Sequence, residues 1–369
     1  MSDRLRLAAY IPELDGLRGL AIGSVLLYHC HEKLRSSHLN VITQWGWVGV
    51  NLFFVLSGFL ITGIILDARD DPNFFRNFYA RRGLRIWPVY VLVLLLNYFA
   101  IPVVFGSFWW AIHEMRYAPW LHYIFFVQNL FFLTLPGTIG PTWSLAIEEQ
   151  YYIFWAPIAR FLKNAFLLPF LIVVFVASPF IRLANTGFLT STHTLTHLDG
   201  LAIGSLISLL LRAVDLSRST WSKLATAGLL FGLSGVVLMN FHGSAFTDTL
   251  LALGFAGMLV KALLVSDSSH WYAILLRIRP LKFLGMISYG LYMIHILCFV
   301  VIGAFDLRME KYGARGDIAV VLVRLALSIS AATALWYGFE KPILRLKRYF
   351  VSEKKRPVDA VDVVLVPAD

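Results

Sequence analysis

Residues 45–66 read WGWVGVNLFFVLSGFLITGIIL, without one charged side chain. A helix of about 20 apolar residues matches the roughly 30 Å hydrocarbon core of a bilayer. The small residues within this stretch, Gly46, Gly49, Ser57, Gly58 and Gly63, suit a helix that packs closely against others inside a membrane. Outward from it, apolar runs recur near residues 16–31, 86–105, 120–134, 143–159, 164–182, 198–212, 224–241, 248–266, 283–305 and 317–339. The composition agrees. Of 369 residues, 58% are hydrophobic and 15% charged, and the mean hydropathy is +0.70. Soluble domains lie near 45–50% apolar and 25% charged. The expected fold is an all-α polytopic membrane helix bundle. Residues 1–345 form its single transmembrane domain and 346–369 a short polar cytoplasmic tail.

Charge fixes the number of spans. The N-terminal segment (Arg4, Arg6) and the C-terminal one (Lys341, Arg345, Lys347, Arg348, Lys354, Lys355, Arg356) are both basic. Both are expected on the cytoplasmic side, which requires an even number of crossings. The run at 120–134 is the weakest, short and bracketed by Pro119-Trp120 and Leu135-Pro136-Gly137, as interfacial or re-entrant segments often are. Setting it aside leaves about ten transmembrane helices. Arg69, Arg76, Arg81, Arg82, Arg85, Arg160, Lys163, Arg212, Arg218, Lys223, Arg277, Arg279 and Lys282 then fall inside. The loops at 32–44 and 306–316 are basic exceptions outside. The net charge of +10 thus reads as topology. No nucleic-acid partner is expected, because no basic stretch alternates with an aromatic platform. Cys30 and Cys298 lie in apolar runs, and neither a disulfide framework nor a metal site is expected. No cleavable signal is expected, since Asp15 and Arg18 interrupt the first apolar stretch. Leu14-Asp15-Gly16-Leu17 and Ala21-Ile22-Gly23-Ser24 are echoed at 198–205, too briefly to establish a repeat.

Ionisable groups inside spans are costly and mark functional candidates. Arg18 and His29 lie in the first span, eleven residues apart, or roughly 16 Å along a helix. They could address two ends of one long ligand; equally, a flank arginine could snorkel to headgroups beside an interfacial histidine. Glu148 and Glu149 lie inside the span that begins at Trp143, and Ser144, Glu148 and Tyr152 share one helix face. At similar depth to His29, Glu148 could fix the imidazole's tautomer and raise its basicity. Arg82 and Arg85 are spaced to converge on one anion, although cytoplasmic arginines are ordinary. Asn51, Ser57, Gly58, Asp199, Ser288, Tyr289, Tyr292 and His295 are weaker candidates, and a lone His295 reads first as a core histidine. The chain has no G-x-x-x-x-G-K-[ST] loop, G-x-S-x-G elbow, dinucleotide fingerprint or H-E-x-x-H, which argues against an ATP-driven pump, a serine hydrolase of that type and a zinc protease.

At these residues the chain resembles the acyltransferase-3 family of bacterial membrane O-acyltransferases. The resemblance rests on LDGLRGLAIGSVLLYH (14–29), GWVGVNLFFVLSGFLIT (46–62), FYARRGLRIWP (78–88), PTWSLAIEEQYY (141–152), LDGLAIGSLIS (198–208) and ISYGLYMIH (287–295), in the family's order. The family's arginine–histidine pattern falls on Arg18 and His29, its R-x-x-R on Arg82 and Arg85, and its W-S-L-x-x-E on Glu148. Many members carry Asp where this chain has Asn51, so that carboxylate is lacking here. Some members carry an SGNH-type esterase domain after the last span. Here the last apolar run ends near 339 and the chain at 369, so it resembles the stand-alone type.

The resemblance implies an enzyme of the bacterial inner membrane, with both termini cytoplasmic and acyl-CoA (acetyl-CoA above all) as co-substrate without a metal. Arg18, Arg82 and Arg85 would bind its phosphates, and His29, oriented by Glu148, would act as general base or carry the acyl group. The acceptor would be a hydroxyl of an exported or lipid-linked glycan. Asp15, Asn51, Ser57, Trp143, Ser144, Tyr152, Asp199, Tyr289 and His295 would contact substrate or support these groups. Membrane lipid surrounds such a protein, and its Gly-rich span faces permit a homo-oligomer. Competing readings are a proton-coupled transporter or flippase using His29 and Glu148 as a relay, acylation of a small molecule such as a macrolide, and a structural or sensory membrane protein.

Overall fold

A computed structural model of the chain describes residues 10–34, 40–100, 103, 119–131, 138–185, 189, 192–239, 244–266 and 268–350. Among them there is no strand, and the chain is an all-α membrane helix bundle. Its main helices are α1 (Pro12–Cys30), α2 (Gly49–Asp67), α3 (Phe74–Leu95), α4 (Trp120–Ile124), α5 (Gln128–Phe131), α6 (Thr142–Phe161), α7 (Asn164–Ala184), α8 (Leu198–Ala213), α9 (Arg218–Met239), α10 (Thr247–Leu264), α11 (Arg279–Met286), α12 (Ser288–Val301) and α13 (Ala314–Leu335). Of the polar tail expected at 346–369, residues from 351 on lie outside the described residues, as do Arg4 and Arg6.

Among the described residues, six helical stretches are long and apolar enough to cross a membrane, or seven if α11 and α12 form one broken span. The expectation of about ten is therefore not met on length and composition, and the shortfall has a physical cause. α1 carries Glu13, Asp15 and Arg18 near its start, α6 carries Glu148 and Glu149, and α8 has only 16 residues. α1 and α6 fail on their polarity, and α8 on its length. The run at 283–305 is also not one rod: α11 and α12 meet at 80°. The segment at 120–134 holds two short helices, α4 and α5. Phe126, between them, has a φ of 53°, which ends α4 and turns the chain.

α1 is the centre of the bundle although it carries Glu13, Asp15 and Arg18. Leu14, Leu17 and Ala21 belong to one apolar cluster, Ile22, Leu26 and Cys30 to a second, and Val25 to a third. Its buried Glu13 is held by Arg277, whose Nε donates at 2.7 Å. Backbones meet at glycines. A Cβ at Gly16 or Gly19 would collide with the carbonyls of Leu276 and Leu281, and one at Gly285 with that of Asp15, so α1 and α11 lie in direct backbone contact. Gly58 of α2 faces the Leu201 carbonyl of α8, and Gly204 of α8 faces that of Val55. Gly232 and Gly254 join α9 to α10 in the same way. In lipid, where apolar side chains gain nothing by leaving one hydrocarbon for another, such close approach is a main source of helix association. Phe166 and Val173 of α7 and Leu230 and Leu233 of α9 remain exposed, as lipid-facing surfaces require.

Substituting Gly204→Leu should destabilise the protein by about 1–3 kcal/mol or more, as over-packing does, and lower its melting temperature in detergent. Gly23, with nothing within 4 Å of an added Cβ, is the matched control: Gly23→Leu should leave the melting temperature unchanged.

Candidate active site

Three arginines from two helices reach one interhelical cavity of about 100 Å³. Arg82 and Arg85 project from α3, Arg18 from α1, and Ser57, Ser144, Glu148, Ser288, Tyr289 and Tyr292 complete the polar part of the wall. The Arg82 guanidinium lies 4.3 Å from the centre of the Tyr152 ring. Tyr152 in turn donates its hydroxyl to Glu148 Oε2 at 2.6 Å, one helical turn away on α6. Arg82 Nε is buried and unpartnered. Arg85 makes no hydrogen bond or ion pair among the described residues; it feels the charges of Glu148, across the cavity, and of Glu340, the latter delivered by a π-helical turn at Trp336–Glu340. Arg18 is tied more closely, to Asp15 Oδ1 at 3.1 Å. Tyr10 holds the other carboxylate oxygen at 2.7 Å, and burial together with that carboxylate pushes the Tyr10 phenol up from its ordinary range. The protein has thus gathered guanidinium donors in a low-dielectric space and left several without an acceptor, an arrangement that favours a bound polyanion.

His29 lies one residue from the C-terminal end of α1. Its Nδ1 is 2.9 Å from the Val25 carbonyl oxygen and 3.3 Å from His295 Nε2. The expected neighbour, Glu148, makes no hydrogen bond to His29 among the described residues. Glu148 lies six residues past the start of α6, roughly 9 Å along the helix, at the level of Arg82, whereas His29 is near the end of α1. Glu148 therefore serves the arginine end. His295 is fully buried, and its α12 also supplies Tyr292, whose hydroxyl sits 2.7 Å from Ser144 Oγ. Tyr289 donates to the Ile86 carbonyl at 2.6 Å, fastening α12 to α3.

Three expected residues lie elsewhere. Asp199 accepts from Arg182 Nη2 at 2.8 Å and from Thr249 at 2.6 Å. Arg182 is also bonded to the Ala245 carbonyl at 2.7 Å. Every partner is satisfied, which is the signature of a structural tie between α7, α8 and α10. Asn51 donates to Asp248 at 3.1 Å. Trp143 packs against His197, with ring centres 5.2 Å apart. Sequence reasoning missed Glu340 and Lys347. Glu340 abuts the basic segment that begins at Lys341, with no helical spacing to mark it as inward-facing. Lys347 had no signal either, since it looks like any cytoplasmic lysine, yet it shares the positive field of Arg18, Arg81, Arg82 and Arg85. Among the described residues, no group of three or more His, Cys, Asp or Glu is placed to hold a metal. Cys30 and Cys298 are free and buried.

A membrane-embedded helix bundle with an arginine-lined cavity and a half-buried histidine backed by a buried one defines the class. Residues 11–337 match the family model of an acyltransferase domain, and the chain belongs to that acyltransferase family. It is 26% identical to the peptidoglycan O-acetyltransferase OatA of Listeria monocytogenes, over 78% of this chain and 49% of that protein. It is 27% identical to the O-acetyltransferase OatA of Staphylococcus aureus, over 94% and 60%, and 29% identical to the putative peptidoglycan O-acetyltransferase YrhL of Bacillus subtilis, over 78% and 48%. The chain spans about half to three-fifths of the length of these relatives. No solved structure matches it.

Arg182→Met would strand the buried Asp199 carboxylate and should destabilise the fold by about 3–5 kcal/mol, as breaking a buried pair does. Thermal unfolding in detergent should show the double variant Arg182→Met, Asp199→Leu recovering most of that loss.

Proposed function

We propose that the protein is an O-acyltransferase of the bacterial inner membrane, with both termini cytoplasmic, that moves an acyl group, acetyl in the first instance, from acyl-CoA to a hydroxyl of a cell-envelope glycan. The observation that carries this reading is the pair of guanidinium groups on Arg82 and Arg85, which line a cavity and are bonded to no carboxylate among the described residues. With Arg18 they present donors for the phosphates of CoA. Glu148 acts on this end, holding Tyr152 beneath Arg82.

His29 supplies the chemistry. The acceptor hydroxyl gives its proton to the imidazole as its oxygen attacks the thioester carbonyl. The C–S bond breaks, and the CoA thiolate takes the proton back. The relatives' names point to a glycan acceptor, and peptidoglycan is the first to try, followed by lipid-linked and exported polysaccharides.

Purified protein in liposomes, given radiolabelled acetyl-CoA and envelope glycan, should label the glycan, and His29→Ala should cut the rate about 10²–10⁴-fold. Calorimetry with CoA alone should show Arg85→Ala binding about 10- to 100-fold more weakly, as loss of a charged hydrogen bond implies. Absence of CoA binding by the wild type would sink the reading in favour of a transporter.

A further inference from the structure

The two histidines are locked by backbone carbonyls, and the lock determines which nitrogen of His29 is basic. His295 Nδ1 lies 2.7 Å from the Tyr292 carbonyl and 3.2 Å from that of Leu291. A carbonyl oxygen only accepts, so this nitrogen carries a hydrogen. In the neutral ring, Nε2 of His295 is then a bare acceptor. His29 Nδ1 faces two acceptors, the Val25 carbonyl at 2.9 Å and that bare Nε2 at 3.3 Å, and it too must carry a hydrogen. The opposite assignment would set a lone pair against a lone pair at both Val25 and Tyr292. His29 Nε2 is left with the free pair. It has no protein partner among the described residues and is absent from the sealed, unpartnered polar atoms.

We propose that His295 is a positioning residue for His29: by accepting from Nδ1 beside the Val25 carbonyl it orients the ring, so that Nε2, left basic by that carbonyl, is the atom that takes the acceptor's proton. The inference rests on the acyl-transfer reading for its catalytic meaning and on geometry for its tautomer. A neutral imidazole replaces the carboxylate commonly found behind a catalytic histidine. Since it brings no negative charge, the pair can lie in the apolar interior without a counter-ion. A buried carboxylate there would need one.

The two amide replacements separate the contacts. Glutamine at 295 can place its carbonyl oxygen where Nε2 lies, whereas asparagine places its amide where Nδ1 lies. His295→Gln should therefore keep the bond to His29, and His295→Asn should keep only the bond to Tyr292. In liposomes with acetyl-CoA and glycan, kcat should fall about 10- to 100-fold in His295→Asn, with KM for acetyl-CoA within about twofold, and stay within about threefold in His295→Gln. Nitrogen-15 NMR of histidine-labelled protein, with the His29 signal assigned by its loss in His29→Gln, reads the tautomer without any activity. His29 should be protonated on Nδ1 in all three proteins, since the Val25 carbonyl remains, and its Nδ1 signal should shift in His295→Asn but not in His295→Gln. Protonation on Nε2 in the wild type would overturn the proposal even if no variant folded. So would an Nδ1 signal unmoved in His295→Asn, or equal losses of kcat in both variants. If the signals behave as described while no form transfers acetyl, the positioning stands and the acyl-transfer reading fails.

Discussion

The burial of α1 is the constraint on which the rest depends. A helix that starts with Glu13, Asp15 and Arg18 cannot sit in hydrocarbon unless each charge finds a partner, and the partners fix its surroundings. Arg277 must come to Glu13, which draws in the segment before α11. Tyr10 and Arg18 must close on Asp15. Once these ties are made, the apolar remainder of α1 touches all three core clusters. The glycines at 16 and 19 let α11 lie directly on it. One helix thereby carries both an arginine of the anion site and the histidine, and their separation is built into its rise.

Polar groups inside this bundle fall into two kinds, told apart by whether they are satisfied. Arg182, Asp199 and Thr249 are fully bonded to one another; removing one harms the fold and nothing else recommends them as a site. Arg82 and Arg85 lie in a cavity with donors to spare. An unsatisfied buried donor costs about 1–3 kcal/mol and more when charged, so its retention calls for a ligand.

Much of this was legible in the sequence. The all-α membrane fold follows from composition and the apolar runs. Arg18, Arg82 and Arg85, expected at one anion, line one cavity, and Glu148, expected beside His29, lines it with them. The span count was less secure, because apolar length alone cannot register a helix such as α1, whose charges are paired by other segments. Depth was the second failure. Glu148 and His29 looked level when apolar runs were aligned, but the residue that meets His29 comes from α12, through a bend of 80° that no hydropathy pattern encodes. Glu340 was hidden for a similar reason, since a π-helical turn rather than helical spacing aims it inward.

The glycine seams also bear on how the molecule could move. Where backbones touch, as between α1 and α11, α2 and α8, and α9 and α10, sliding or separation would break many contacts at once, and each pair behaves as a single stiff body. α3 has no such seam: its one glycine, Gly83, meets only Trp87 of the same helix. The wall that bears Arg82 and Arg85 is held instead by side chains, Tyr289 on the Ile86 carbonyl and the Tyr90 hydroxyl on that of Tyr123, ties that can be lost one bond at a time.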